Sequence, residues 1–448
     1  MMGIKEVSSF IVDNGLRLGA DEVAAIAAHI TSRQVRFANN EVTVTKTWDT
    51  TSADILLKKD RRVLIASTTD VSEEGIRNTL KGLIRTVKVM KTHKNYAPLP
   101  EGPFQYRSIP NLYDERIPKL GEKNIDYVEA AINSALEGGT VRVAGTLLTT
   151  DSESALATSR NVDGTRKKTT INMVVRCLAN GEASGMGITC GTGLGEFNPE
   201  KAGREAGRLA RMSLNPISGK SGKYDVVLSR PASAVIFDII AGMDSAFNVD
   251  SGQSCLAERI GKKIASDELA IHDDPRAAGG LGSTPFDDEG YPTGRTTIIE
   301  KGTLRSYLHN SFTSEKYKAE STANAGWIAP HAWNVIVEEG KLKEAELLES
   351  VKEGLYVNNI TYLRFQDYRR GDFSAVIRDG VFRIEKGELT KPVRGLRLSD
   401  NLLHILRNIT ALSKEPEQIF HWWMEWGTPS IKTPMVLSSD VGFTVPTK

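Results

Sequence analysis

The sequence predicts an α+β protein: two N-terminal units of helices and antiparallel strands, then a larger mixed C-terminal domain with a β-rich core. Three observations lead there. Helical and strand-like runs follow one another irregularly, unlike the steady alternation of a doubly wound parallel sheet. The dipeptides Asp163-Gly164 and Asn180-Gly181 fall between strand-like runs, as hairpin turns do. At 448 residues the chain is too long for one core, and its length suggests about three domains.

The first unit, residues 1–91, opens with a helix from Lys5 to Leu18, apolar at Val7, Phe10, Ile11 and Leu16. After the Gly19-Ala20-Asp21 turn, Asp21 to Ile30 is ambiguous, its alanines favouring helix. Strands are expected at Val42–Thr45 and Ala53–Leu57. Another is expected at Arg61–Ala66, after the turn-like Lys58-Lys59-Asp60. A helix from Ser72 to Lys91 closes the unit, with Ser72 as N-cap and Glu73 and Glu74 in its first turn.

Pro98, Pro100, Pro103 and Pro110 mark residues 92–118 as a linker or long surface-crossing segment. The second unit, 119–215, has a helix at Asp126–Leu136 and strands at Val141–Thr149, Ala155–Arg160, Lys168–Ala179 and Glu182–Thr192. A helix from Pro199 to Leu214 ends it. The third unit, 223–448, has its last clear helix at Ser399–Ala411, capped by Ser399 and Asp400. A strand at Met435–Leu437 precedes a short tail containing Val441 and Pro446.

Composition excludes several roles. Lys plus Arg (57) nearly balances Asp plus Glu (56), and the densest basic cluster is only Arg166-Lys167-Lys168. A nucleic-acid surface needs a basic excess or stripe, so direct nucleic-acid contact is not expected. Cys177, Cys190 and Cys255 are sparse, odd in number and without CxxC spacing, which fits a reducing compartment. The stretch Met1-Met2-Gly3-Ile4-Lys5-Glu6-Val7 lacks a signal peptide's apolar segment, and no apolar run is long enough to span a membrane. A cytoplasmic protein is expected.

The most informative stretch is Ala278 to Asn324. It runs Gly279-Gly280-Leu281-Gly282-Ser283-Thr284-Pro285-Phe286-Asp287-Asp288-Glu289-Gly290, then Pro292-Thr293, Gly302 and Tyr307-Leu308-His309-Asn310. Further on come Gly371-Asp372-Phe373-Ser374, Asp379-Gly380, Lys386-Gly387-Glu388 and Leu398-Ser399-Asp400-Asn401-Leu402-Leu403. Together these resemble the TldD/PmbA family, the so-called modulators of DNA gyrase, which act as peptidases. The resemblance extends over essentially the whole chain and implies a strand, not a helix, at Asp21–Ile30.

Active members of that family place a zinc-binding His-Glu-x-x-x-His on a helix upstream of the glycine-rich stretch, and use a cysteine near the C-terminus. Here Asp238, Ile239 and Met243 stand at those three helix positions, and no cysteine follows Cys255. Isoleucine is no base, and methionine is too soft and weak to replace an imidazole on zinc. The resemblance therefore implies a TldE/PmbA-type subunit with no catalytic residue and no metal of its own. It implies a heterodimer with a zinc-bearing TldD-like metallopeptidase subunit, a homodimer in isolation, and unfolded peptides as substrates. Alternatives are a stand-alone hydrolase with another nucleophile or a relocated metal, and a binding or regulatory protein acting on DNA gyrase or another topoisomerase.

Each candidate site has a plainer alternative. Asp287-Asp288-Glu289 is expected as a solvated turn closed by Gly290, or as a substrate contact, since the family's loop lies beside the peptide cleft. His309-Asn310, ending a strand at Thr303–Leu308, is expected to be structural, with binding of peptide carbonyls the alternative. His272-Asp273-Asp274-Pro275 reads as a turn rather than a metal cluster. Cys190 lacks a nearby activating histidine, so a nucleophile is not expected. The aromatic cluster His421-Trp422-Trp423-Glu425-Trp426 reads as core or as an interface anchor. The histidines at positions 29, 93, 331 and 404 are scattered and suggest no site.

Overall fold

The computed structural model describes residues 2–92, 96–139, 141–181, 183–420 and 430–446. The first segment contains α1 (Ile4–Arg17), β1 (Glu22–Ala38), β2 (Glu41–Lys59), β3 (Arg62–Thr68) and α2 (Glu73–Val87). The second contains α3 (Lys123–Leu136), β4 (Arg142–Thr158), β5 (Val162–Leu178), β6 (Ser184–Gly191) and α4 (Pro199–Met212). The stretch expected as strand or helix at Asp21–Ile30 is thus strand from Glu22 on, paired to β2 and β4, with Ala25 and Ala27 packed under the helices.

The strands of both segments form one antiparallel sheet, ordered β3-β2-β1-β4-β5-β6, with β1 paired to β4 from Ala24↔Thr158 to Phe37↔Gly145. Pairing the two segments removes two exposed edges. Alternation along the strands then assigns the faces. Val23, Ala25, Ala27, Ile55 and Leu57 lie under α1 and α2, while Val35, Phe37, Val143, Ile171 and Met173 lie with α3 and α4. Ala24, Leu56 and Leu156 point to the other face, where Leu99 of the proline-rich segment and Trp327 and Phe286 of the third segment cover them.

The third segment contains β7 (Ile217–Ser218), β8 (Gly222–Leu228), α5 (Arg230–Met243), α6 (Ala246–Asp250), β9 (Ile271–Asp273), β10 (Thr296–Glu300), β11 (Thr303–Leu304) and α7 (Ser311–Tyr317). It continues with β12 (Asn334–Val337), α8 (Glu344–Glu349), β13 (Glu353–Asp367), β14 (Asp372–Glu385), β15 (Glu388–Arg394), β16 (Arg397–Asn401), α9 (Leu402–Arg407), β17 (Ile409–Leu412), β18 (Glu417–Ile419), β19 (Ser430–Thr433) and β20 (Val436–Thr444). One sheet is ordered β11-β10-β9-β12-β19-β18. The other runs β13-β8-β20-β16-β14-β15-β7, and β13 also pairs β14, which closes its first five strands into a ring. Helix α5 lies in the largest core, with Val335 and Ile431 of one sheet and Leu355 and Val357 of the other. Among the described residues no helix is long and apolar enough to cross a membrane.

The α+β class holds, and several local expectations are corrected. The hairpin turn before β5 falls at Ser159–Asn161, with Asn161 at φ 58°, while Asp163 and Gly164 already pair with Ala157 and Leu156. The expected helix Ser399–Ala411 shrinks to α9, capped by Asn401, whose side chain accepts the His404 N–H at 3.1 Å. Its flanks join strands β16 and β17 because partners are available there, and tertiary pairing overrides helical periodicity. Strand β20 runs through Val441, which is fully buried rather than part of a tail. Of Thr303–Leu308, only Thr303–Leu304 is strand.

Candidate functional site

The glycine-rich stretch folds against the uncovered face of the first sheet, held by side chains from remote elements. Asn334 of β12 accepts the Gly282 N–H at 2.9 Å and donates to Ser283 Oγ and Asp274 O, each at 2.8 Å. Gln418 of β18 accepts the Leu281 N–H at 2.9 Å. Gly282 permits this approach, since a Cβ there would lie 1.7 Å from Trp333 O. From β5, Arg166 reaches Thr284 Oγ1 at 3.0 Å and Lys168 reaches Leu281 O at 2.7 Å. The two are spaced i, i+2 and so share a face of the strand.

The three acids that follow do not form the solvated turn that the sequence suggests. Phe286 packs between Leu156 and Val162 and draws the loop inward. Asp287 is fully buried and accepts three backbone N–H groups: Glu289 at 3.0 Å, Tyr291 at 2.9 Å and Ala325 at 3.1 Å. Burial, and then the neighbouring Glu289, hold its pKa well above the usual carboxylate range. Glu289 is buried too and accepts the backbone N–H of Ser311 at 3.0 Å and the Ser311 hydroxyl. Burial raises its pKa, against the opposing pull of Ser311 and Lys58. Lys58 of β2, itself buried, lies 3.6 Å from Glu22 and donates to Ala97 O at 2.8 Å. Gly290 closes the turn at φ +93°, and its carbonyl accepts the Tyr106 hydroxyl at 2.7 Å.

Asp288 differs from its neighbours. Its backbone is fixed by Ala325 O and by the Trp327 indole, which donates to Asp288 O at 2.7 Å, and the residue as a whole is less buried than Asp287 and Glu289. Burial pushes that carboxyl up to about 6, with Arg166 opposing and Asp54 adding to the rise. A folded pKa above the ordinary 3.8 means the folded chain binds the proton more tightly. The stability from this group is therefore fully present below that value and lost as pH rises through about 6. The Asp288→Asn chain is expected to show a shallower fall in melting temperature between about pH 4 and about pH 7 than the wild type. Identical slopes would refute the assignment.

His309 and Asn310 are drawn to the same loop, because Ser311, which binds Glu289, follows them. Asn310 caps α7: its Oδ1 accepts the Thr313 N–H at 3.0 Å, and its amide nitrogen donates to Gly326 O at 3.2 Å. Both ends of this side chain are engaged structurally. His309 Nδ1 lies 3.2 Å from Thr313 Oγ1, and its ring rests 5.7 Å from that of Tyr317. Burial lowers its pKa and so favours the neutral ring. His309 borders a surface cleft of about 550 Å³ together with Arg295, Arg305, Tyr307 and Thr322.

Asp238, Ile239 and Met243 lie on α5, started by Ser229, whose hydroxyl accepts the Ala232 N–H. Asp238 and Ile239 lie on a half-exposed strip, whereas Met243 turns into the core with its sulfur 3.4 Å from that of Cys255. An aspartate can ligate Zn²⁺, but the alkyl side chain of Ile239 is no base and the core thioether of Met243 is too soft and weak to replace an imidazole. Among the described residues no three His, Cys, Asp or Glu side chains gather as a ligand set. Positions 421–429, with the aromatic cluster, and His93 lie outside the described residues. Cys190 borders a second cavity of about 530 Å³, but burial pushes its thiol up to about 12, so it is held as the un-ionised form. His272 and Asp273 lie in β9 rather than in a turn, and Asp273 accepts the N–H groups of Trp333 and Asn334 at 2.9 and 2.7 Å.

Sequence reasoning missed Lys58, Glu22 and Ser311, for which linear spacing carries no signal. It named Arg166 and Lys168 only as a basic cluster, although their alternation marks one strand face.

Three domain descriptions match the chain in succession: PmbA/TldA metallopeptidase domain 1 at residues 23–87, the central domain at 114–214 and the C-terminal domain at 221–445. The metalloprotease PmbA of Escherichia coli O157:H7 is 30% identical over 223 residues, 49% of this chain and 47% of the relative. A metalloprotease of Methanothermobacter thermautotrophicus is 28% identical over 305 residues, 65% of this chain and 66% of the relative. The aligned stretch thus spans about half the length of the PmbA relative and close to two thirds of the archaeal one. The crystal structure of TldE from Thermococcus kodakarensis superposes with a TM-score of 0.88 at 20% identity, covering 98% of this chain and all of that one, a likeness of fold. With its C-terminal half and both preceding segments matched in order, this chain belongs to the PmbA/TldD metallopeptidase family.

Proposed function

We propose that this chain is the subunit without zinc of a TldD/TldE-type peptidase complex, contributing part of the channel that receives unfolded peptides. The observation that carries the reading is the donor set of α5: a core methionine and an isoleucine stand where a metallopeptidase needs an imidazole and a carboxylate base. The metalloprotease names of the relatives and the TldE-like fold support a place in such a complex. The balance of charges fits a cytoplasmic protein that handles peptides rather than polyanions. A raised Cys190 thiol speaks against an independent cysteine hydrolase.

Within this reading the zinc and the base come from the TldD-type partner, and this chain binds and orients. In this reading Asp288 and His309 are the groups that would meet an extended backbone, Asp288 as the least buried of the three acids and His309 from the border of the cleft. Asp287, Gly290 and Asn310 hold the loop that presents them. Recognition through main-chain hydrogen bonds admits any extended sequence.

The test is purification of the chain with and without a co-expressed TldD-type partner, followed by zinc analysis and cleavage of an unstructured peptide. The isolated chain is expected to bring down no stoichiometric zinc and to leave the peptide intact, whereas the co-purified complex carries zinc and cleaves it. Stoichiometric zinc together with chelator-sensitive cleavage in the isolated chain would overturn the assignment.

A further inference from the structure

One long edge of the first sheet has no partner. Strand β2 pairs with β1 from Glu41 to Lys58, but with β3 only from Ala53 to Lys59. Between the turn at Asn39-Asn40 and Ala53, no backbone group among the described residues bonds the other side of β2. Every residue from Thr43 to Thr50 is exposed, Trp48 at 44% and Val44 at 38%, so both faces of this stretch are bare as well.

The hairpin that follows fixes which backbone groups point outward. Asp60 and Arg61, both at positive φ, join β2 to β3 in a two-residue turn closed by Lys59 and Arg62. In steps of two from Lys59, the residues Leu57, Ile55 and Ala53 direct their N–H and C=O groups at β3. The ladder with β1 has no irregularity from Lys58 back to Thr45, so Thr51, Asp49, Thr47 and Thr45 present theirs to the open edge. Proteins commonly blunt such an edge with proline, a bulge or several charges. Here Val44–Ser52 holds no proline, its threonines favour strand, and its charges are Lys46 and Asp49 alone.

We propose that this edge pairs antiparallel with the same edge of a second copy of the chain, about a two-fold axis at Thr47. Thr47 is the midpoint between Val42 and Ser52, so this register uses the full open length and meets neither the Asn39-Asn40 turn nor β3 of the other copy. The axis keeps the faces of the two strands in common and sets Lys46 opposite Trp48 and Thr45 opposite Asp49, each twice. An ammonium against an indole and a hydroxyl against a carboxylate are favourable cross-strand pairs. Moving the axis to Lys46 would set two ammonium groups against each other, and moving it to Asp49 would oppose two carboxylates. The proposal names the strand, the register and the axis of self-association. It concerns neither zinc nor cleavage, so it can fail without the subunit reading failing.

The test measures the mass of the full chain alone, by light scattering and sedimentation at micromolar concentration, and a dimer is expected. Thr47→Pro removes an N–H that faces the open edge and leaves the ladder with β1 intact, and is expected to weaken the dimer at least tenfold. Thr47→Cys gives a second readout that stands even if the proline variant does not fold. Residues opposed in a hydrogen-bonded antiparallel pair lie about 5.5 Å apart at Cα, within disulfide reach, and the native Cys177, Cys190 and Cys255 are buried. Under mild oxidation Thr47→Cys is expected to give a disulfide-linked dimer, whereas Thr45→Cys, opposite Asp49, is not. The proposal is overturned if the isolated chain is monomeric, or if the edge closes only with an added TldD-type partner or extended peptide. It is equally overturned if the dimer survives Thr47→Pro unchanged, or if Thr45→Cys cross-links as readily as Thr47→Cys.

Discussion

Asp287→Ala is expected to destabilise the protein by about 3–5 kcal/mol, from the cost of orphaning several buried donors. The side chain terminates three backbone N–H groups, those of Glu289, Tyr291 and Ala325. Each loses its only side-chain acceptor in a place that water does not reach. One term opposes the loss: Asp287 is buried beside Glu289, so its removal also relieves an unfavourable charge. Unpaired donors should outweigh that relief, because leaving a buried N–H unsatisfied costs about 1–3 kcal/mol and there are three of them. Asp287→Asn keeps one oxygen for Glu289 and Tyr291, the two donors shared by Oδ1, and should lose about half as much. Denaturant melts of the two variants settle the matter. Equal stability of Asp287→Ala and wild type would mean that the loop is solvated after all.

The second large effect is expected at Asp379→Ala, at about 3 kcal/mol by analogy with broken buried ion pairs. Asp379 joins the first sheet to the ring of strands in the third segment. Its fully buried carboxylate accepts Arg176 Nε of β5 at 2.8 Å and the Asn359 amide of β13 at 2.9 Å, with Arg378 at 3.5 Å. Removing the acid strands the Asn359 amide and the Arg176 guanidinium. Arg176 is 35% exposed and regains water, which holds the loss to the lower part of the usual range. Asp379 also adopts φ 59°, a conformation that alanine accepts less readily than aspartate or asparagine. Asp379→Asn should therefore retain much of the stability, and the double change Arg176→Ala, Asp379→Ala should lose less than the sum of the two single changes. Additive losses would show that the bridge contributes nothing of its own.

Local chemistry made much of the architecture legible. Ser72 starts α2 by accepting the Gly75 N–H, and Asn180-Gly181 turns β5 into β6 with Gly181 at φ 72°. Two of the errors share one cause. Ser399–Ala411 has helical periodicity, yet its flanks are strands because β14 and β20 offer partners. The same holds at Asp163-Gly164, where β4 extends the pairing past the dipeptide and moves the turn to Asn161.

What the sequence determined by itself was the kind of fold, the family, and the residue types that α5 carries, Asp238, Ile239 and Met243, because residue type alone decides what a side chain can ligate. What only the tertiary structure decided was the environment of the acids. Asp287 and Glu289 look like surface residues in the sequence, and become buried because Phe286 beside them packs on the remote Leu156 and Val162, and because Lys58 and Ser311 come from other parts of the chain. Periodicity reports which face a residue shares with its near neighbours. It carries nothing about which remote element will cover that face, and it is that cover which excludes water and sets the charge.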